Sequence, residues 1–199
     1  MNWILASASP RRRELLSHLG LTFTVRVAGV DESSDEPNGA ALVEQLARRK
    51  ALAVWQELCQ ENGEPPQDTV VLAADTVVLD PTGQILGKPC DAEDARRMLR
   101  TLSDATHRVV SGIAAVRGGA CVSAHEQTEV TFAPLSEAVI ERYVASGEPM
   151  DKAGGYGIQD TAALWIRGIR GDYFNVVGLP LHRLETLVGE AFGLSLWES

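Results

Sequence analysis

The chain has 199 residues, 45% hydrophobic and 23% charged, with a net charge of −9. That is enough for one large, well-cored domain, and its field repels nucleic-acid polymers and anionic membranes. Its three cysteines, Cys59, Cys90 and Cys121, form no C-x-x-C pair, which argues against a disulfide scaffold or zinc site and for free thiols in a reducing cytoplasm.

Residues 2–6, NWILA, read as a short buried strand, too short for a signal-peptide core or a membrane span. In SASPRRRELL, Ser9 and Pro10 predict the N-cap and first residue of a helix over 10–19, with Leu15, Leu16 and Leu19 as its apolar stripe. Arg11, Arg12 and Arg13 then fall in the first turn, where the helix dipole disfavours cations by about 0.3–1 kcal/mol each. A β-branched second strand is expected over 22–27, an acidic loop over 28–38, and a long helix over 40–60 that breaks at NGEPPQD.

TVVLAADTVVLD, residues 69–80, is apolar on both faces, as a central strand is. DPTG follows as a turn, then an amphipathic helix over 91–102. A hairpin over 107–117 and 120–132 turns at RGGA, and Ser136 caps a helix running to about 146. DKAGGYGIQD is a glycine-rich loop, 162–169 a strand, and 180–192 a last helix entered through Pro180. Strands and helices mix without a strict βαβ rhythm, so a mixed sheet is expected in an α/β fold of one domain, with residues 107–146 forming much of a smaller lobe.

Several residues break local rules. Asp75 sits among apolar neighbours, where a carboxylate must be paired, protonated or bound to metal. It fits a structural ion pair or a strand-end bond to amides as well as a metal ligand or general base. Lys50 lies in register with Val43, Leu46 and Val54 on the inward face of the long helix, so it either snorkels to the rim or enters a cleft. Arg48 and Arg49 beside it are expected to be solvated. Lys88 precedes a proline in an extended segment and by itself is unremarkable. Asp31, Glu32, Asp35 and Glu36 form an acidic cluster of a kind that is mostly solvated, yet Val30-Asp31-Glu32 follows the second strand directly, so one carboxylate could reach a strand-end cleft and hold a hard divalent cation. Gly154, Gly155 and Gly157 would let backbone approach a ligand, in neither a dinucleotide nor a P-loop pattern, and Gln159 brings an amide suited to a base edge. The histidines His18, His107, His125 and His182 lack metal spacing and read as structural or surface groups.

Cations that cradle oxyanions, with carboxylates that hold a metal, are the general equipment for a phosphate ester or anhydride. The stretches LASASPRRRELL, VDE, ARRKA, AADTVV, GKPCDAEDA, DKAGGYGIQ and VVGLPL resemble, in order and over about residues 3–190, the Maf family of nucleotide pyrophosphatases. The resemblance implies a two-lobed mixed-sheet α/β fold with a central cleft, similar to inosine triphosphate pyrophosphatase-like folds. It implies hydrolysis of a nucleoside triphosphate to the monophosphate and pyrophosphate with a divalent cation, Mg²⁺ or Mn²⁺. Arg11, Thr76 and Gln159 match the branch acting on dTTP and UTP. The alternatives are 7-methyl-GTP or another purine nucleotide as substrate, or a nucleotide-binding regulator of cell division.

By the same resemblance, Asp75 is the catalytic base, and Glu32 and Asp75 hold the metal. Ser7, Arg11, Arg12, Lys50, Thr76, Lys88 and Gln159 bind substrate, while Arg13 has no role. The expected partner is the nucleotide alone, with no nucleic-acid polymer and no membrane, in a chain that can form a homodimer.

Overall fold

The computed structural model describes residues 1–63, 66 and 68–197. Strand β1, Asn2–Leu5, lies parallel to β2, Phe23–Val25, and to β3, Thr69–Leu79. Between β1 and β2 runs helix α1, Pro10–His18, and between β2 and β3 runs α2, Gly39–Asn62. Asn38 caps α2 by accepting the Ala40 and Ala41 amides at 2.9 and 3.1 Å. Of the expected break after this helix, Glu64, Pro65 and Gln67 lie outside the described residues.

Beyond β3 the chain makes a turn tied by the Asp80 carboxylate, which accepts the Thr82 hydroxyl at 2.6 Å and the Thr82 and Gln84 amides at 2.8 and 2.9 Å. Burial raises the pKa of Asp80, but these bonds outweigh it and hold the group below the ordinary carboxylate value. The turn leads into β4, Ile85–Leu86, antiparallel to β3 and too short to be seen in the sequence pattern. Helix α3, Ala92–Leu102, buries Ala95, Met98, Leu99 and Leu102, the face its periodicity predicts, and Asp91 caps it. Strands β5, Thr106–Arg117, and β6, Ala120–Phe132, form the expected hairpin. Helix α4, Glu137–Ala145, follows its Ser136 cap.

The stretch expected as a strand over 162–169 divides in two. Thr161–Trp165 is a 3₁₀ turn, and only Ile166–Arg170 is strand β7, antiparallel to β6. The short helix α5, Tyr173–Val177, precedes the final helix α6, Leu181–Phe192. Strand order is β2-β1-β3-β5-β6-β7 with β4 on β3, a mixed sheet in an α/β fold. No helix among the described residues is long and apolar enough to cross a membrane.

The chain clusters into two compact units. The first comprises Met1–Asp75, Ser111–Glu126 and Gly178–Ser199; the second, Thr76–Val110 and Gln127–Val177. Residues 107–146 are thus shared, with 111–126 in the first unit. In the first unit, Ala47, Ala51, Val54 and Trp55 of α2 pack on Ile4, Val71 and Ala114. Backbone meets backbone there: a Cβ on Gly112 would stand 2.3 Å from the Val43 carbonyl carbon, so β5 reaches α2 only through a glycine.

In the second unit, α3 and α4 close on Phe132 and Tyr156. His107, 1% exposed, stands edge-on to both rings at 5.0 and 5.3 Å, and its Nε2 lies 2.7 Å from the Tyr156 hydroxyl. Burial pushes the His107 pKa down to about 4. The unfolded chain therefore binds a proton here at a higher pH than the folded one. The stabilisation is complete above pH about 6.5 and is lost as pH falls from there through 4, amounting to roughly 3 kcal/mol by pH 4. Urea unfolding of the wild type should lose roughly 2 kcal/mol between pH 7 and pH 5, and His107→Gln should remove most of that slope. An unchanged slope in the variant would place the acid sensitivity elsewhere.

Candidate active site

The first unit gathers most of the charged candidates. Beyond β1, the Ala6 amide bonds to the Leu72 carbonyl at 2.7 Å, so the chain leaves the sheet beside β3. Ser7 is buried, and its hydroxyl accepts the Ser9 amide at 3.3 Å and Arg12 Nη1 at 3.1 Å. Ser9 holds the N-cap position of α1, but its side chain makes no capping bond; Ser7 receives the amide in the turn instead.

Arg12 is committed to the protein. Its Nη1 donates to the Ala74 carbonyl and its Nε to the Gly178 carbonyl, both at 2.8 Å. The guanidinium thereby ties the first turn of α1 to the residue before Asp75 and to the chain entering α6. Burial lowers the Arg12 pKa, the charge of Asp75 opposes this, and neighbouring Arg11 lowers it further. Arg11 is half-buried, whereas Arg13 is exposed.

Lys50 enters the site rather than snorkelling. Its ammonium lies 2.5 Å from Asp75 Oδ1 and 3.0 Å from Glu32 Oε1. The Lys50 and Asp75 side chains are 16% and 13% exposed, so their pairing is shielded from water, while Glu32 at 58% holds the outer position. Helix geometry explains the reach: Val43, Ala47 and Val54 on the same face are fully buried, which turns Lys50 toward β3.

The acidic loop is brought to this point by Arg49. Arg49, expected to be solvated, donates from Nη1 to the Asp31 and Ser33 carbonyls at 3.2 and 2.9 Å, on either side of Glu32. Arg48, also expected in solvent, donates to the Cys121 carbonyl at 3.2 Å. Carbonyl partners of this kind leave no trace in charge patterning, because every residue type supplies them.

Glu32 and Asp75 converge on one cationic atom, so two hard carboxylate donors address a single point. That suits Mg²⁺ or Mn²⁺, which commonly take one or two carboxylates together with waters and substrate phosphate oxygens. Among the described residues, no group of three His, Cys, Asp or Glu is arranged to hold a metal by protein ligands alone.

Thr76, Lys88 and Gln159 belong to the second unit. Lys88 and Gln159 are exposed, and Thr76 is half-buried. The segment before Lys88 is fixed to the glycine-rich loop, since the Gly87 carbonyl accepts the Gly154 amide at 2.9 Å. Two glycines of this loop are tightly packed. Gly154 has φ +67°, and a Cβ there would stand 2.8 Å from Val78; on Gly157 it would stand 2.4 Å from Asp160 Oδ2.

Residues 2–191 match the family described as Maf-like protein. The chain belongs to the Maf family. The match spans residues of both units. This Maf chain is 52% identical over 183 residues to a protein of Symbiobacterium thermophilum named dTTP/UTP pyrophosphatase, covering 90% of this chain and 89% of that one. It is 50% identical over 198 residues to a protein of Moorella thermoacetica with the same name, covering 98% and 96%. The solved structure of the Ham1 protein of Staphylococcus aureus aligns at TM-score 0.46 and 14% identity over 67% of this chain and 72% of that one, too slight a likeness to carry weight.

In this Maf protein, Arg12→Lys should lose the fork that reaches Ala74 and Gly178 together. The expected cost is about 1–3 kcal/mol in urea unfolding, and a variant as stable as the wild type would show that these carbonyls do not depend on Arg12.

Proposed function

We propose that this Maf protein hydrolyses dTTP and UTP to the monophosphate and pyrophosphate. The observation that carries the reading is the Lys50 ammonium held between Asp75 and Glu32, with Arg12 anchored one residue away at Ala74. Cations and carboxylates stand prepaired, ready to exchange partners with a polyphosphate. The names of the relatives, at about half identity over nearly the whole chain, support the same substrates.

Asp75 is the general base: its carboxylate takes a proton from the water that attacks the α-phosphorus. The bond from that phosphorus to the bridging oxygen breaks, and pyrophosphate leaves with the electron pair. Lys50, Arg11, Arg12 and Lys88 offset the charge of the triphosphate and of the departing pyrophosphate. Ser7, which receives Arg12, orients its guanidinium. Glu32 and Asp75 would hold a divalent cation, which when bound supplies further neutralisation of phosphate oxygens. Gln159 accepts the N3–H and donates to O4, the edge shared by thymine and uracil, with Thr76 supporting the pocket. Cytosine presents the reverse pattern and leaves these groups unpaired.

The reading includes a cytoplasmic setting, supported by the free thiols of Cys59, Cys90 and Cys121, and independence from membranes and nucleic-acid polymers. It also includes a homodimer, supported by the family resemblance and measurable by sedimentation.

A nucleotide panel with Mg²⁺ should show pyrophosphate release from dTTP and UTP and little from purine triphosphates. Turnover of no triphosphate would overturn the reading. Asp75→Asn should lower kcat by about a hundredfold or more; near-full activity would remove Asp75 from the role of base. Omission of divalent cation should abolish turnover, and undiminished release in chelator would dismiss the Glu32–Asp75 metal position.

A further inference from the structure

Gln159 is exposed, yet the residue after it pairs with a buried charge. It lies at the third position of a turn that the Asp160 amide closes on the Gly157 carbonyl at 3.2 Å. Lys152, 7% exposed, donates from Nζ to the Glu148 carbonyl at 2.6 Å and to Asp151 Oδ1 at 2.8 Å, and lies 3.5 Å from Asp160 Oδ2. One ammonium therefore holds both the start of the glycine-rich loop and the residue after Gln159. On the far side, Glu148 accepts the Thr161 amide at 3.1 Å and its hydroxyl at 2.8 Å. There is no slack at the turn's entry, because a Cβ on Gly157 would stand 2.4 Å from Asp160 Oδ2 and 2.9 Å from Lys152 Cε. Mid-loop, Tyr156 is anchored on His107.

We infer that Lys152, acting with Asp160 and Glu148, is the positioning residue for Gln159, so that a buried ammonium clamp sets the nucleobase preference of the enzyme. Lys152 itself touches no substrate. It fixes the backbone from which the Gln159 amide is presented, and an amide that must match one donor and one acceptor discriminates only as well as its position is held. An unclamped turn would let the amide rotate and accept the reversed edge of cytosine. The inference rests on the assignment of Gln159 to the base.

The test compares UTP with CTP in the wild type, Lys152→Met, Lys152→Arg, Asp160→Asn, Gln159→Ala and the Lys152→Met/Gln159→Ala pair, with thermal melting as a check on folding. Lys152→Met should lower the UTP-over-CTP ratio of kcat/KM by about tenfold or more, chiefly by raising KM for UTP, while kcat stays within about threefold. Lys152→Arg should restore part of the ratio. In the Gln159→Ala background, Lys152→Met should cause no further loss, since the clamp then has nothing left to position. Asp160→Asn, on a partly exposed side chain, should give a smaller loss of the same kind and serves if Lys152→Met melts too low to assay.

Equal losses on UTP and CTP, or an unchanged ratio, would overturn the inference. A substrate-free measurement separates it from the functional reading: amide hydrogen exchange at Asp160 should quicken by about tenfold or more in Lys152→Met while exchange in β5 is unchanged. Unaltered exchange would refute the clamp, whereas quickened exchange in a protein that does not turn over UTP would refute the base-reading assignment and leave the clamp standing.

Discussion

An ammonium between two carboxylates is the constraint around which the first unit is arranged. Asp75 interrupts one of the most apolar strands of the chain, and an isolated ionised group there would be costly. Lys50 removes that cost by approaching from α2, while Glu32 shares the same cation from the loop after β2. Each of the three is delivered by a different element, and each element is held to the others by contacts that carry no chemistry of their own. Arg49 staples the loop to the helix, Gly112 lets β5 lie against α2, and Arg12 ties α1 to the end of the strand segment that carries Asp75.

The arginines at the start of α1 are a local electrostatic fault that tertiary contacts resolve. The helix begins without an acidic residue in its first turn and without a side-chain cap. Arg12 turns its charge toward carbonyl oxygens at Ala74 and Gly178, which are partial negative charges fixed in place. Two of its nitrogens are occupied in positioning, so any share it takes in binding phosphate is made from a guanidinium whose plane is already set. Arg13, on the outside of the same turn, has none of these partners among its exposed surroundings.

The long elements were legible in the sequence because their periodicity is repeated. α2, α3, the hairpin and β3 fall where apolar spacing and turn residues predict them. The short ones were not: β4 has two residues and α5 has five, fewer than two periods of the pattern that would reveal them. The candidate site was legible as a set of residue types out of place, namely Asp75 in a strand and Lys50 on an inward helix face. Its supporting bonds were not legible, since Arg12, Arg48 and Arg49 donate to backbone carbonyls of Ala74, Gly178, Cys121, Asp31 and Ser33. Lys152 was hidden for a related reason. Its partners Asp151 and Asp160 flank a glycine-rich run that draws attention as a ligand loop, while the contacts that matter are internal.

The hydrogen bond from Gly154 to Gly87 joins the glycine-rich loop to the segment carrying Lys88. With Val78 against Gly154 and Asp160 against Gly157, the glycine-rich loop has no room for a side chain at either of these positions. Loops elsewhere diversify by changing length. Here the packed glycines hold the loop to its course, and the positions left open to exchange are exposed side chains at its tip, Gln159 among them.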